Sequence, residues 1–570
     1  MTRNMTETGP ARWRHLTGGV ALSLVSAVSF SAVPAFKAQP GKLSEVVRSE
    51  GAAKGAAKIN VIVRFRQAPG ARERSLVGAF GGRVRRQFRS SSRWMAVEVP
   101  GRAVMDLANN KDVEFVAIDA PMYSAMDVAR QAADEPLPSV PESSFKGAGV
   151  TIAMLDSGVA PHPGIQTLAV AVDTVGNDPP VVSESGVDPN GHGTHVAGIL
   201  VGNGSHSFEG RLRGLAPEAR LVSVRVLDDL GRGQTSDVLA GLQWVVDHKD
   251  EFGIRVLNLS IGHPVYEPAA QDPLVQGVEA AWDAGIVVVC SAGNGGASGH
   301  GTISSPCNSR KVITVGALNA WHTPDPVDDT VTSYSSRGPT RGDLVAKPDL
   351  IAPGNRIVSA RSPGSHLDVA FPERRVAGDP NQPEELDYFE LSGTSMAAPI
   401  VSGTAALMLE QDPALNPASV KARLMLSTRK AFVADPFTTG AGALDILAAL
   451  RTGGTVTAAL SPLVLADSEQ GEMTIENTAV LWSDASFPLT LLWSEAVLWP
   501  DGTEPEDPLF RSNGVLWPPT NTPYPLLWPD HSLDAVLWPD TALWAEAVLW
   551  PDNAPPEIVT ESEAAVVDDP

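Results

Sequence analysis

Residues 59–120 carry short apolar runs separated by polar breaks. Asn60–Phe65 (NVIVRF), Arg83–Phe88, Trp94–Val99 and Val113–Ile118 (VEFVAI) have the β-branched and aromatic content of strands. Ala71–Phe80 and Val104–Asn109 predict helices. The resulting order, β-α-β-β-α-β, is that of a small ferredoxin-like α+β unit. From 149 to 450 the pattern changes. Val150–Leu155, Arg220–Val226, Val256–Ser260, Ile286–Ser291 and Val312–Val315 are strand candidates, and helical patterns such as Thr235–His248 and Leu274–Ala284 lie between them. Strands that are apolar without interruption are covered on both faces. Their alternation with helices predicts an α/β fold, a mostly parallel doubly wound sheet with helices on both sides. In such sheets functional groups sit just past the carboxyl ends of the strands.

Both ends of the chain follow other rules. Arg3, Arg12 and Arg14 precede an apolar run, roughly Leu16 to Val33, with small residues at Ala32, Ala35 and Ala38. That is the layout of a bacterial-type export signal over residues 1–35. A membrane anchor competes with it, but the run is short for one and rich in Ser and Gly. No later stretch approaches the roughly 18 unbroken apolar residues of a spanning helix. The mature protein is therefore expected outside the cell, with no membrane span. Residues 36–58 and 121–145 read as linkers around the 59–120 unit, and 146–450 as the main domain. In 451–570 a short motif recurs: AVLW at 479, AVLWPD at 496, 535 and 547, and variants at 491, 514, 526 and 542. Eight of the chain's thirteen tryptophans fall there, at spacings that match neither a helix nor a strand. The tract reads either as a docking motif for a surface or as a weakly ordered solvated tail.

Charge sharpens this division. The net charge is −23 over 570 residues, and 455–570 holds twenty acidic residues against one basic, Arg511, so −19 of it lies in the tail. Residues 59–120 hold eleven basic and six acidic residues, a net of +5. An acidic chain of this size excludes nucleic acid as the expected partner. Cys290 and Cys307 are the two cysteines. Export would permit a bridge between them, and two unpaired thiols acting as small hydrophobes is the alternative.

The candidate chemistry sits where the strand-end rule points. Val150–Leu155 runs into Asp156 in TIAMLDSGV. GHGTHVAGI follows, with His192 between Gly191 and Gly193 and with His195 one helical turn on; it lacks the HExxH spacing and general base of a metalloprotease. SGTSMAAPIVSG places Ser395 at the start of a helical run, where free N–H groups suit a developing oxyanion. Ser, His and Asp in the chain order Asp–His–Ser form one of the recurring triads.

These three segments resemble the signatures of the subtilisin-like serine proteases. GLAPEARLVSVRVL, VLNLSIG, VVVCSAGNGG, SPCNSRKVITVGA, SYSSRGP and KPDLIAPG continue the resemblance in family order over roughly 146–450. It implies a serine endopeptidase acting on polypeptides through an acyl-enzyme, with Ser395 as nucleophile, His192 as base, Asp156 as its orienting partner and Asn294 as oxyanion donor. It implies two substrate edges, Ser260–Ile261–Gly262 and Ser291–Ala292–Gly293. Neither carries an acidic residue, so broad, mildly apolar specificity is expected rather than selection for Lys or Arg. No cofactor is implied for catalysis. Structural Ca2+ is common in the family, but no full oxygen-ligand set maps here and no metal residue is assigned. The 59–120 unit is similar to the family's inhibitory propeptide, which implies an autoprocessed zymogen inhibited by its own front unit. Asn355–Leu391 looks longer than the family minimum, as a cleft-rim loop or a surface insertion.

Overall fold

The structure is a computed structural model describing residues 42–88, 93–124, 144–320, 329–379, 381, 387–429, 436–467, 472–475 and 524–525. The expected export signal and most of the Trp-repeat tract lie outside the described residues.

The front unit comprises α1 (Glu45–Lys54), β1 (Lys58–Phe65), α2 (Ala71–Ala79), β2 (Arg83–Gln87), β3 (Trp94–Pro100), α3 (Val104–Asn109) and β4 (Val113–Ile118), followed by a short strand β5 (Pro121–Ser124). β1–β4 form an antiparallel sheet in the order β2-β3-β1-β4. Strand alternation gives this sheet two different faces. Val61, Val63, Met95, Val97 and Val116 pack on the unit's own helices, whereas Ile62, Ala96, Phe115 and Ala117 belong to a core shared with the main domain. Helix α1 falls in a segment read as linker. EVVRSEGAAK has only two large apolar residues, too few to announce a helix, and a helix this short depends on tertiary packing. Ser44 caps it through Val47 N, and Val47 is fully buried.

The main domain continues with β6 (Thr151–Asp156), β7 (Leu168–Asp173), β8 (Val181–Ser183), α4 (His192–Val201), β9 (Arg220–Arg225), β10 (Arg232–Gln234), α5 (Thr235–Asp247), α6 (Lys249–Phe252), β11 (Ile254–Leu259), β12 (Ile261–Gly262), α7 (Pro273–Asp283), β13 (Val287–Ser291), β14 (Ile313–Asn319), β15 (Thr330–Val331) and β16 (Leu350–Pro353). The large sheet has the order β15-β14-β13-β11-β6-β9-β7-β8, with β16 beside β14. It is parallel except at its two ends, where β8 and β15 pair antiparallel. Along β6 and β13, successive side chains enter opposite cores. Ile152, Met154, Val287 and Val289 face one layer with Val196 of α4, while Ala153, Leu155, Val288 and Cys290 face the other with Val238 and Leu242 of α5 and Leu274 of α7. Burial on both sides is why these strands read as unbroken apolar runs.

The remainder comprises β17 (Ile357–Ala360), α8 (His366–Ala370), β18 (Arg375–Val376), β19 (Tyr388–Leu391), α9 (Thr394–Gln411), α10 (Pro417–Leu426), α11 (Pro436–Thr439) and α12 (Ile446–Arg451). Beyond α12, Ser461–Val464 stay on the domain. Ser461 Oγ donates to Asp349 Oδ1 at 2.6 Å, a carboxylate that Lys347 (2.6 Å) and Lys421 (3.1 Å) also engage, all of them buried. Ala346 N and Val464 N bond Pro462 O and Leu344 O. A chain ended at Gly454 removes Ser461 from this buried charge cluster. It is expected to lose about 1–3 kcal/mol of stability relative to one ended at Gln470, as thermal unfolding of the two would record.

Candidate active site

Asp156 ends β6 and is fully buried. Its Oδ1 accepts a bond from Ser157 N (2.7 Å) and meets His192 Nδ1 at 2.6 Å. His192 opens α4 and is equally buried. Two glycines make that approach sterically feasible. Gly191 has φ 105°, and a Cβ there would lie 2.5 Å from Ser365 Oγ; a Cβ on Gly193 would run into Gly158 O. A residue that sequence reasoning missed organises the turn. Asp188 accepts bonds from Gly191 N (2.8 Å), Thr194 N (2.7 Å), Thr194 Oγ1 (2.6 Å) and Ser157 Oγ (2.8 Å), tying the residue after Asp156 to the first turn of the histidine helix. Burial holds its carboxyl above the usual range against these bonds. The available signal was an acidic residue just ahead of a helix start, the position of a cap.

His195 has a different role. Its Nε2 lies 2.9 Å from both Ile357 O and Phe389 O, and burial together with His192 pushes its pKa down to about 3. It is a neutral ring anchoring α4 to β17 and β19. The segment Asn355–Leu391 looks longer than the family minimum, and its described residues are largely built into regular structure. They form the β17-β19-β18 sheet plus α8 and clamp the histidine turn: His366 N bonds Pro189 O, Leu367 N bonds Asn190 O, and Ser362 Oγ bonds Asp188 O. Asp368, held between Arg361 and Arg375, closes the clamp on itself, and these pairs keep its pKa down at about 2 against the cost of burial.

Ser395 is the second residue of α9 and fully buried. Ser395 Oγ donates to Ser260 O (3.0 Å), and Ser260 Oγ donates back to Ser395 O (2.9 Å). β6 and β11 are adjacent, with Leu155 opposite Leu259, so Asp156 and Ser260 follow on neighbouring strands about 4.8 Å apart. Asn294 lies against the same helix start. Its Oδ1 accepts from Thr394 N and Thr394 Oγ1, both at 3.0 Å, which leaves its Nδ2 as a buried donor with no partner. His192 Nε2 is likewise buried without a partner. Unsatisfied buried polar atoms are uncommon and call for an explanation. Here one is a ring nitrogen at the start of α4 and the other an amide nitrogen held against the start of α9, the helix that carries Ser395.

The substrate edges expected from the sequence are distinct pieces of backbone. Ser260–Gly262 leaves β11 and forms β12, and Ser291–Gly293 leaves β13, where Ala292 N bonds Val315 O. Cys290 and Cys307 are bridged, which resolves the open choice between bridge and thiols. The bridge joins β13 to the loop beneath the second edge.

The first edge is already paired. β5 lies between β10 and β12, antiparallel to both, with Tyr123 opposite Gly262 and Arg232, and Ser124 opposite Ile261. Met122 is fully buried in the shared core. This strand lies in a segment read as linker, and Gly231–Gly233, its other wall, was not singled out. A four-residue strand is invisible without its partners. Further contacts fasten the front unit. Arg86 donates to Thr174 O, Asn177 O, Ser236 O and Asp237 Oδ1. Asp119 accepts from Ser236 N and Oγ at the start of α5. Glu267 receives Ile118 N, and burial beside Asp272 raises its pKa to about 8. Among the described residues no group of three or more His, Cys, Asp or Glu is arranged to hold a metal ion, and no helix is long and apolar enough to cross a membrane.

This site and fold define a serine endopeptidase built on a subtilisin-like α/β sheet. Residues 147–442 match the subtilase peptidase family, and the chain belongs to that family. It is 40% identical to serine protease AprX of Bacillus subtilis over 345 residues, covering 60% of this chain and 74% of that protein. It is 28% identical to subtilisin E of the same species over 411 residues, covering 71% and 93%. Among solved structures, fervidolysin of Fervidobacterium pennivorans superimposes with a TM-score of 0.53 at 20% identity, over 74% of this chain and 65% of that one; this likeness bears on the fold alone.

Proposed function

We propose that the chain is an exported, autoprocessed zymogen of a broad-specificity endopeptidase in which Asp156, His192 and Ser395 are the triad and Asn294 the oxyanion donor. The carrying observation is the buried 2.6 Å Asp156–His192 contact with His192 Nε2 left free next to the Ser395 helix. The Ser395 hydroxyl rotates from Ser260 O toward Nε2 and attacks the scissile carbonyl as His192 takes its proton. Asp156 fixes the ring with Nδ1 protonated and stabilises the imidazolium. The negative oxygen is met by Asn294 Nδ2 and the Ser395 N–H at the positive end of α9. His192 returns the proton to the leaving amine, and a water repeats the sequence on the acyl-enzyme. Neither substrate edge carries an acid, which supports uncharged over Lys or Arg side chains before the cut.

The front unit acts as the inhibitor because β5 holds the first edge as a substrate strand would, by main-chain pairing. It runs toward Ser260, whose carbonyl binds the Ser395 hydroxyl. N-terminal sequencing and mass measurement of the secreted product test this. The expected new N-terminus follows shortly after Ser124, with the released front unit still bound. Glu267 holds a proton in the complex and loses it more readily once solvated, so release consumes no proton and frees one. Higher pH therefore favours separation, and size-exclusion at pH 5 and pH 8.5 is expected to show more free front unit at the higher value. A mature chain that begins upstream of residue 59, fully active, contradicts the zymogen reading.

A further inference from the structure

We propose that Ser260, Asn258 and Ser402 form a buried relay that positions the nucleophile Ser395 by giving its carbonyl the partner that Pro399 withholds. The proposal rests on the triad reading above and adds positioning residues to it. Ser395 is the second residue of α9, and Pro399 lies inside the same helix. In an α-helix the Ser395 carbonyl would accept the N–H of residue 399. Proline has no N–H, and its ring crowds the carbonyl four residues back. The turn that carries Ser395 Oγ and the Ser395 N–H therefore lacks a bond where an ordinary helix has one. The Ser260 hydroxyl makes a bond there instead, donating to Ser395 O at 2.9 Å.

That hydroxyl is itself held. Asn258 Nδ2 donates to Ser260 Oγ at 3.1 Å, so the oxygen accepts from Asn258 and commits its own proton to Ser395 O. Asn258 Oδ1 in turn accepts from Ser402 Oγ at 2.8 Å. Ser402 comes seven residues after Ser395, two helical turns on, and so shares its face of α9. The relay leaves α9 at Ser402, crosses to β11 and returns to α9 at Ser395. All four side chains are fully buried. Asn258 pairs beside Met154 and Val289, both members of an apolar core. An amide is costly in such a place unless its hydrogen bonds are made, and both of its polar atoms are committed to the relay. Since Ser395 Oγ also donates to Ser260 O, the start of the first substrate edge and the nucleophile are one hydrogen-bonded unit.

The test is a double-mutant cycle on the processed enzyme with a soluble peptide p-nitroanilide. Ser260→Ala is expected to lower kcat about fivefold, the scale of one net hydrogen bond, with KM changed by less than about twofold because the edge keeps its main-chain groups. The pH midpoint of kcat should stay in place, since His192 and Asp156 are untouched; a general loosening of the site would move it. Pro399→Ala restores an N–H for Ser395 O. In that background Ser260→Ala is expected to cost less than about twofold, and this non-additivity is what a merely structural serine would not produce. Ser402→Ala, two links away, is expected to cost about threefold and to show the same cancellation, which keeps the cycle decisive should Ser260→Ala fold poorly. Equal losses in both backgrounds, or a kcat unchanged within about 1.5-fold in the relay variants, overturn the relay while leaving the triad reading intact. A wild type that neither turns over the peptide nor is acylated at Ser395 by a serine-directed inhibitor overturns the triad reading on which the relay rests.

Discussion

Ser395→Ala is expected to lower peptide turnover by about 10⁶-fold, the scale of loss known for the nucleophile of subtilisin itself, a member of this family. The hydroxyl opens α9, which packs against α4, the helix whose His192 carries a buried ring nitrogen with no partner. Without it His192 has nothing to activate except water, and Asn294 retains only the weak catalysis of an oxyanion site. The variant should also keep its front unit covalently attached, because the same residue would make that cut. Assay of purified protein on casein, with electrophoresis of the unprocessed chain, reads both effects. Full removal of the front unit in the purified variant would sink the triad assignment.

Asn294→Ala is expected to lower kcat by about 10²–10³ with little change in KM, again a figure that comes from subtilisin. Asn294 Oδ1 is committed to Thr394 N and Oγ1, so the side chain is held with Nδ2 as its free donor. That donor meets charge that exists in the transition state and not in the bound substrate, which is why the loss should appear in kcat. Removing the anchor also frees Thr394 N, so Asn294→Asp, which keeps an acceptor there and replaces the donor with a negative charge, is the informative companion. It should be at least as slow as Asn294→Ala, and steady-state kinetics with a soluble peptide separates kcat from KM for both.

Much of this site was legible in the residues. Asp156, His192, Ser395 and Asn294 lie inside segments whose neighbours are required locally: a strand ending in a carboxylate, two glycines about a histidine, a serine at a helix start. The strands and helices named from the pattern in the two folded units are also present, because burial on both faces and the 3.6 period are local patterns. What escaped notice is long-range. Asp188 matters through its bonds to Ser157 and Thr194, and a lone aspartate in a loop announces neither. The clamp at 355–391 reads as surplus length, although its backbone holds Pro189 and Asn190. The strand β5 has four residues and no periodicity, and it exists because β10 and β12 lie ready to pair with it.

The sequence by itself determined the class of chemistry, that of a serine endopeptidase, since its signature segments need particular local backbones and those backbones need particular neighbours. The tertiary structure alone decided what stands around that chemistry. It paired β5 with Ile261–Gly262, brought Ser304 close to both Gly262 and Gly293, and braced the histidine turn with a segment more than a hundred residues away. Such contacts depend on strand order and crossover in the folded sheet, and no local pattern of apolar and polar positions encodes which distant segment arrives there.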